Sequence, residues 1–221
     1  MIRVLYEDNH LLCVEKPCNV PVMEDDSRDP DLLSMCKAYL KETYHKPGNV
    51  YCGLVHRLDR PVGGAMVFAK TSKAASRLSE SVRTNAMAKE YLAVLDGVPE
   101  QKSARLTDYL IKNPKTNTVR VTDKEHGKFC ALSYEVIEVR NGKTLVKIRL
   151  ETGRAHQIRV QFASRGLPLV NDQRYHPAPQ KGQIALHAFR LSFPHPTTKE
   201  TVTVESLPPD RAPWNQFRIT I

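Results

Sequence analysis

Hydrophobic and polar residues alternate along several short stretches, as they do in β-strands whose two faces meet different surroundings. The firmest prediction is a β-hairpin over residues 131–153, because two such runs are joined by Asn141-Gly142, a pair that tolerates the backbone of a tight hairpin turn. Residues 3–17 predict two further strands around a polar turn. Strands are also predicted at 63–71 and 89–97.

Apolar residues spaced three or four positions apart predict three helices. The first lies within residues 29–45. Thr71 or Ser72 caps the second, because either hydroxyl can accept a backbone N–H of the first turn. The third follows Gly153 and ends at Gly166. The expected buried positions are Leu33, Cys36, Leu40 and Tyr44 in the first helix, Ala75, Leu78 and Val82 in the second, and Ile158 and Phe162 in the third.

Many short strands and few helices predict an α+β fold on a mixed, largely antiparallel sheet. The length of 221 residues allows one large domain or two small ones. Since no repeats or low-complexity stretches interrupt the chain, we expect a single domain over residues 1–221, and a smaller subregion at 98–130 is the open alternative.

Several classes of protein are disfavoured by what the sequence lacks. No run of about 20 apolar residues occurs, so no membrane span is expected, and the N-terminal residues lack the apolar centre of a signal peptide. Five cysteines without a C-x-x-C pair predict reduced thiols and a cytoplasmic protein. The spacing of His and Cys fits no metal site. The sequence contains no glycine-rich phosphate loop, so no nucleotide cofactor is expected.

The net charge of +9 favours a polyanionic partner. Residues 56–90 contain seven Lys or Arg and three acids, so the charge belongs to the body of the protein rather than to a terminal tail. A protein that is basic without binding a polyanion is the open alternative.

Residues 55–64, VHRLDRPVGG, place an aspartate between two arginines. If the chain is extended over 54–59, Arg57 and Asp59 share one face just before a turn at Pro61. Glycines after that turn would let a ligand approach the backbone. Two interpretations stay open: an exposed ion pair of little energetic value, or a carboxylate kept ionised for chemistry.

Two further stretches contain candidate functional residues. In a helix over TGRAHQIRVQFASRG, His156 and Arg159 are neighbours and Arg154 lies near the start. Buried cations need a partner, and Asp59 would supply one. In AKEYLAVLDG, Tyr91 shares a strand face with apolar residues, so it is either a core aromatic or a catalytic group.

Taken together, these segments resemble the signature segments of the RluA-type pseudouridine synthases, which isomerise uridine in RNA. The resemblance runs in order from about residue 2 to about residue 208. The segments that resemble the family are YEDNHLLCVEKP, HRLDRPVGG, KEYLAVLDG, GRAHQIRVQFASRG, VNDQRYHP and LHAFRLSFPHP.

The resemblance implies the pseudouridine synthase fold, a catalytic domain over 1–221 without an N-terminal S4-like RNA-binding module, and no cofactor or metal. It implies that Asp59 is the nucleophile, that Arg159 pairs with Asp59, and that Tyr91 stacks on the uracil and removes a proton. The partner would be ribosomal or transfer RNA, bound by a monomer that flips the target base. The residues expected to bind RNA are Lys16, His56, Arg57, Arg60, Lys89, Arg154, His156 and Gln157.

The sequence departs from the family pattern in three places: Val62-Gly63-Gly64 replaces Thr-Ser-Gly, Gln161 replaces a frequent histidine, and Asn171-Asp172 replaces Gly-Asp. These departures concern substrate preference, since the three catalytic positions are intact. Two rival functions stay open, an RNA-binding protein that has lost catalysis and a basic hydrolase that uses Asp59 with a second acid.

Overall fold

The computed structural model describes residues 2–219 and divides the chain into two compact units. The first unit comprises the residues up to Lys89 together with Ala188–Leu207, and the second comprises Glu90–His187 and the residues from Pro208. Each unit combines antiparallel strand pairs with helix, so the predicted α+β class is confirmed. The single domain over 1–221 stays a prediction.

The first unit is built on strands that pair in the order β1-β2-β4-β10, with β3 on β4 and β11 on β10. Leu11, Val67, Leu78 and Phe193 are buried together in its core. The elements are β1 (Arg3–Glu7), β2 (Leu11–Lys16), α1 (Leu32–Thr43), β3 (Gly53–Leu54), β4 (Gly63–Ala69), α2 (Ser72–Arg83), β10 (Leu186–Pro194) and β11 (Thr201–Glu205).

Both helices of the first unit begin at a polar cap. The Thr71 hydroxyl accepts the backbone N–H of Ala74 at 3.1 Å, so Thr71 and not Ser72 caps α2. Asp31 caps α1 in the same way. Because α1 begins at Leu32, its buried face is Leu32, Cys36 and Leu40, whereas the predicted Leu33 is half-buried and Tyr44 is exposed.

In the second unit the strands pair in the order β5-β9-β8-β6-β7. The predicted hairpin is confirmed, since Asn141 and Gly142 connect β8 to β9 with φ values of 51° and 71°. The elements are β5 (Ala88–Asp96), β6 (Ser103–Asn113), β7 (Thr118–Thr122), β8 (Lys128–Arg140), β9 (Lys143–Leu150), α3 (Gln157–Ala163) and a 3-10 turn (Trp214–Gln216).

Helix α3 packs against strands β6 to β8, where Val160 joins a buried cluster with Leu110 and Cys130. It is shorter than predicted, because His156 adopts a φ of 51° that a right-handed helix cannot include. Arg154 and His156 therefore precede the helix. Across residues 2–219, no helix is long and apolar enough to cross a membrane.

Candidate active site

Asp59 lies in the loop between β3 and β4. The carbonyl oxygen of Asp59 accepts a hydrogen bond from the backbone N–H of Val62 at 2.9 Å, which closes a turn through Arg60 and Pro61. The ladder of β3 ends at Leu54, so the segment that was expected to be extended is paired with a strand only at its first residue. The turn therefore presents Asp59 on irregular backbone directly before β4.

Two glycines follow this turn because the backbone is crowded there. A Cβ on Gly64 would lie 2.2 Å from the carbonyl oxygen of Ala188, and its φ of 125° is one that other residues rarely adopt. A Cβ on Gly63 would lie 2.9 Å from the Cys18 sulfur. The expectation that these glycines admit a ligand is wrong for Gly64, whose close neighbour is the backbone of β10.

Lys16 fixes the loop after Asp59 from the end of β2. Its side chain is 1% exposed, and Nζ donates to the carbonyl oxygens of Pro17 and Arg60, each at 2.9 Å. Burial lowers the pKa of Lys16 to about 8, against an opposing attraction to the Asp59 carboxylate. Lys16 was expected to bind RNA, but its buried ammonium group contacts backbone carbonyl oxygens, whereas a lysine that binds phosphate is exposed.

His56 ties the same loop to β4, because its Nε2 accepts the backbone N–H of Val67 at 3.1 Å. Burial lowers the pKa of His56 to about 3, and the positive charge of Lys89 acts in the same direction. Lys89 is itself half-buried, which lowers its own pKa. His56 is therefore neutral at pH 7, and any contact that it makes with RNA is made without a positive charge.

The two arginines that flank the aspartate have different surroundings. Arg57 is exposed, and its Nη1 lies 3.9 Å from the sulfur of Met23. Arg60 forms ion pairs with Asp25 and Asp29 in the loop before α1. The arginine that is directed to solvent is thus Arg57, whereas Arg60 holds an acidic loop.

Helix α3 of the second unit contributes Arg159, which is 5% exposed. Its Nε and Nη2 donate to the two carboxylate oxygens of Asp172 at 2.9 and 2.7 Å. Burial acts to raise the pKa of Asp172, but the hydrogen bonds and charge of Arg159 outweigh it, so this pKa lies below its usual value. The pairing of Arg159 with Asp59 stays a prediction.

Asp172 also organises the loop that follows it, because Oδ1 accepts the backbone N–H groups of Arg174 and Tyr175 at 3.0 and 3.2 Å. The Tyr175 ring centroid lies 5.1 Å from the Arg159 guanidinium, and its hydroxyl lies 2.6 Å from Nδ1 of His156. His156 and Arg159 are therefore neighbours through Tyr175, although His156 is outside the helix.

Gln157 and Arg154, both expected to bind RNA, differ in exposure. Gln157 is 3% exposed, and its Oε1 accepts the Thr152 hydroxyl at 2.8 Å and the backbone N–H of Arg154 at 3.0 Å. Arg154 is exposed, and its Nε donates to the carbonyl oxygen of Phe129 at 3.0 Å. Gln157 fixes the start of α3, and Arg154 is the residue that faces solvent.

Tyr91 lies in β5 and is 8% exposed. Residues 92–95 are buried as well, so both faces of this strand are covered and the alternation seen in the sequence does not mark an outward face. The first unit thus contains Asp59 with Lys16, His56, Arg57, Arg60 and Lys89, and the second contains Tyr91 and Arg159 with Arg154, His156 and Gln157.

Sequence reasoning missed Asp172 and Tyr175 as supports of the candidate site. Both lie in the segment VNDQRYHP, where an acid precedes a tyrosine by three residues. A buried arginine in the preceding helix requires an acidic partner, so this acid was the available signal.

A family model described as RNA pseudouridylate synthase matches residues 10–164. The chain belongs to this family. The resemblance to the RluA-type pseudouridine synthases is thereby confirmed, and the matched range includes Asp59, Tyr91 and Arg159.

Individual relatives agree with this membership. An uncharacterized RNA pseudouridine synthase of Zymomonas mobilis is 32% identical over 92% of this chain and 92% of its own length. Ribosomal large subunit pseudouridine synthase D of Yersinia pestis is 34% identical over 88% of this chain but only 63% of its own length. The structure of human RNA pseudouridylate synthase domain containing 4 matches with a TM-score of 0.81 at 21% identity, covering 94% of this chain and 88% of its own. The pseudouridine synthase fold is therefore confirmed.

Proposed function

We propose that this protein isomerises uridine in RNA to pseudouridine. The observation that supports the proposal most directly is the family match over residues 10–164. The reaction breaks the N1–C1′ bond, turns the base, and joins C5 to C1′. The proton on C5 leaves and N1 gains one, so the product is an isomer of the substrate and no electrons are gained or lost.

Asp59 is the proposed nucleophile. Its carboxylate forms a covalent bond either with C1′ of the ribose or with the uracil ring, which holds one fragment while the other turns. Lys16 fixes the backbone of the next residue, and its positive charge attracts the Asp59 carboxylate. The turn closed by Val62 keeps the loop in one conformation.

Arg159 is the proposed partner of Asp59. The bidentate contact with Asp172 uses the Nε–Nη2 edge and fixes the orientation of the guanidinium. A guanidinium has five N–H donors, and those on Nη1 are the ones that we assign to Asp59. Such a charge-assisted contact would aim the carboxylate at the nucleotide.

Tyr91 is the proposed base and stacking residue. Its ring would lie against the uracil, and its hydroxyl oxygen would accept the proton from C5 once the new C–C bond has formed. A target inside a folded RNA must leave its stack, at a cost of a few kcal/mol. Exposed Arg57, beside Asp59, would occupy the gap or hold the flipped nucleotide.

Ribosomal RNA is the proposed substrate class, because relatives that match most of this chain are named ribosomal large subunit pseudouridine synthases. The test is to incubate the purified protein with unmodified transcripts of large-subunit ribosomal RNA and of transfer RNAs, and to map pseudouridine by chemical labelling. We expect modification at one or a few ribosomal uridines. Modification of transfer RNA alone would contradict the substrate class, and none in either RNA would contradict the activity.

A further inference from the structure

Side chains on strands β6 to β9 of the second unit alternate between two faces. Asp108, Leu110 and Cys130 lie on the face that α3 covers, since Gln161 of that helix donates to Asp108 and Val160 packs with the other two. The residues between them project to the opposite face. On that face, which we call the open face, lie Arg105, Thr107, Tyr109, Ile111, Arg120, Thr122, Phe129, Ser133 and Arg149, together with the buried Ala131 opposite Thr107.

Two aromatic rings lie side by side on the open face. Tyr109 and Phe129 are directly opposite each other on β6 and β8, with ring centroids 5.7 Å apart and planes inclined by 65°. Phe129 is 41% exposed, and Tyr109 is half-buried beside Gly127. An exposed ring supported by a second ring is a surface on which a nucleobase can stack.

Arginines lie on both sides of these rings. Arg120 is two residues from the strand partner of Tyr109, which places it about 7 Å along the sheet. On β8, Ser133 lies four residues after Phe129, about 14 Å along the sheet in the opposite direction from Arg120. Arg105 and Arg149 are its partners on the two neighbouring strands. Arg120 and Arg149 are exposed, so both can reach the phosphates of a strand that crosses the rings.

Two acids near the open face form ion pairs, whereas Asp123 and Glu125 lie exposed in the turn between β7 and β8. Glu151 accepts a bidentate contact from Arg105, and Glu135 pairs with Lys147. The open face therefore keeps the positive charge of Arg120 and Arg149, and a polyanion fits it better than an apolar or basic protein surface does.

The open face adjoins Arg154, one of the residues that were expected to bind RNA. The side chain of Arg154, which precedes α3, donates through Nε to the carbonyl oxygen of Phe129 at 3.0 Å. A strand that contacts Arg154 can therefore continue onto the rings without leaving the surface of the second unit.

We propose that the open face binds single-stranded RNA, with a base stacked on Phe129 and phosphates on Arg120 and Arg149. Unpaired RNA is the occupant because only unstacked bases present their faces to side chains, whereas the bases of a duplex stack on one another. The inference rests on the proposed function, which identifies the polyanion as RNA. It adds to that function a surface that binds the RNA strand.

The test uses fluorescently labelled oligo(A) of 12 nucleotides, which contains no uridine and so measures binding apart from catalysis. Phe129→Leu keeps an apolar side chain but removes the ring, and we expect its Kd to rise about fivefold or more. Phe129→Tyr restores a ring and should bind as the wild-type protein does. The matched control is Val139→Ala, at an exposed apolar position elsewhere on β8.

The charge test replaces Arg120 and Arg149 by glutamine. The slope of log Kd against log salt should become shallower by about 0.7 for each lost phosphate contact, whereas Lys41→Gln on α1 should leave it unchanged. The proposal is overturned if the wild-type protein does not bind oligo(A). It is also overturned if Phe129→Leu and the charge variants bind oligo(A) as well as the wild type does. Pseudouridine formation by the wild type is assayed in parallel, so failure of the open face and failure of the activity are distinguishable.

Discussion

At the scale of single residues, two buried lysines of the first unit allow a direct comparison. Lys16 holds the backbone beside Asp59, whereas Lys70 binds Glu7, the carbonyl oxygen of Asp8 and the Tyr44 hydroxyl at the other end of the sheet. Both contribute to stability through hydrogen bonds. Only Lys16 lies next to the proposed nucleophile.

Lys16→Met should therefore lower both stability and activity. The variant leaves two carbonyl oxygens without a donor, at a cost of about 1–3 kcal/mol for each group that stays buried. It also frees the loop after Asp59, so kcat should fall while the Kd for RNA changes little. Lys70→Met is the control that should unfold more easily yet keep its kcat, measured by urea unfolding and pseudouridine formation. Equal loss of kcat in both variants would contradict a specific role of Lys16.

Tyr91→Phe separates the stacking role of this residue from its proton transfer. The ring stays, so the Kd for RNA should be unchanged, while release of tritium from uridine labelled at C5 should slow by about 100-fold or more. Tyr134→Phe is the matched control, because Tyr134 is also 8% exposed and its hydroxyl binds only the carbonyl oxygen of Gln101 among the described contacts. Tritium release by Tyr91→Phe at the wild-type rate would return Tyr91 to the class of core aromatics.

At the scale of elements, α3 and the loop after Asp172 are held together by one buried ion pair. Arg159 and Asp172 are 6% and 0% exposed in their side chains, so neither charge can turn to water if the other is removed. Tyr175 extends this contact to His156 at the helix start. The start of α3 and the 172–176 loop therefore depend on the same two charges.

Asp172→Asn should destabilise the protein by about 3–5 kcal/mol, because it breaks a buried ion pair in which Arg159 donates to both carboxylate oxygens. Glu80→Gln is the control, since Glu80 pairs with Arg83 on the exposed side of α2 and its loss should leave the unfolding midpoint nearly unchanged. Urea unfolding at pH 7 measures both. A midpoint for Asp172→Asn as high as that of Glu80→Gln would contradict the anchoring role.

Local signals in the sequence were sufficient for most elements. The Asn141-Gly142 hairpin and the helix cap at Thr71 or Ser72 depend on a few adjacent residues, and the structure confirms the hairpin and selects Thr71. The late start of the third helix was missed, because His156 has a left-handed backbone and its side chain contacts Tyr175, 19 residues away in the sequence. Asp172 was missed for the same reason: its partner is known only once the chain has folded.

At the scale of the whole molecule, stability in acid depends on groups whose pKa differs between the folded and the unfolded chain. The pKa of His56 falls from its usual value of about 6.5 to about 3 on folding. Above pH 6.5 the imidazole is neutral in both states and its contact with Val67 is fully present. Below pH 6.5 the unfolded chain binds a proton that the folded protein excludes, so stability is lost as the pH falls toward 3.

The free energy of unfolding should therefore fall between pH 6.5 and pH 4.5 with a slope that includes about 1.4 kcal/mol per pH unit from His56. In His56→Gln the amide oxygen can still accept the Val67 N–H, and this part of the slope should vanish. His126→Gln, at a side chain that is 66% exposed, should keep it. Urea unfolding across this pH range gives the slopes, and parallel curves for wild type and His56→Gln would contradict the assignment.

The net charge of +9 suited a polyanionic partner but did not identify it. The basic side chains have different surroundings in the folded protein. Arg60 binds two acids and Lys16 is buried, whereas Arg57 and Arg154 are exposed. Composition cannot separate these cases, since each depends on which residues folding brings together. The family match over residues 10–164 is what indicates RNA as that partner.

The central claim, that Asp59 is the nucleophile, is tested most directly by single-turnover pseudouridine formation with Asp59→Asn on an RNA that the wild-type protein modifies. Asparagine is nearly the same size as aspartate but is not an anionic nucleophile, so we expect no product, with thermal stability and RNA binding retained. Asp26→Asn, at an exposed acid in the loop before α1, should leave the rate unchanged. Substantial pseudouridine formation by Asp59→Asn would contradict the mechanism.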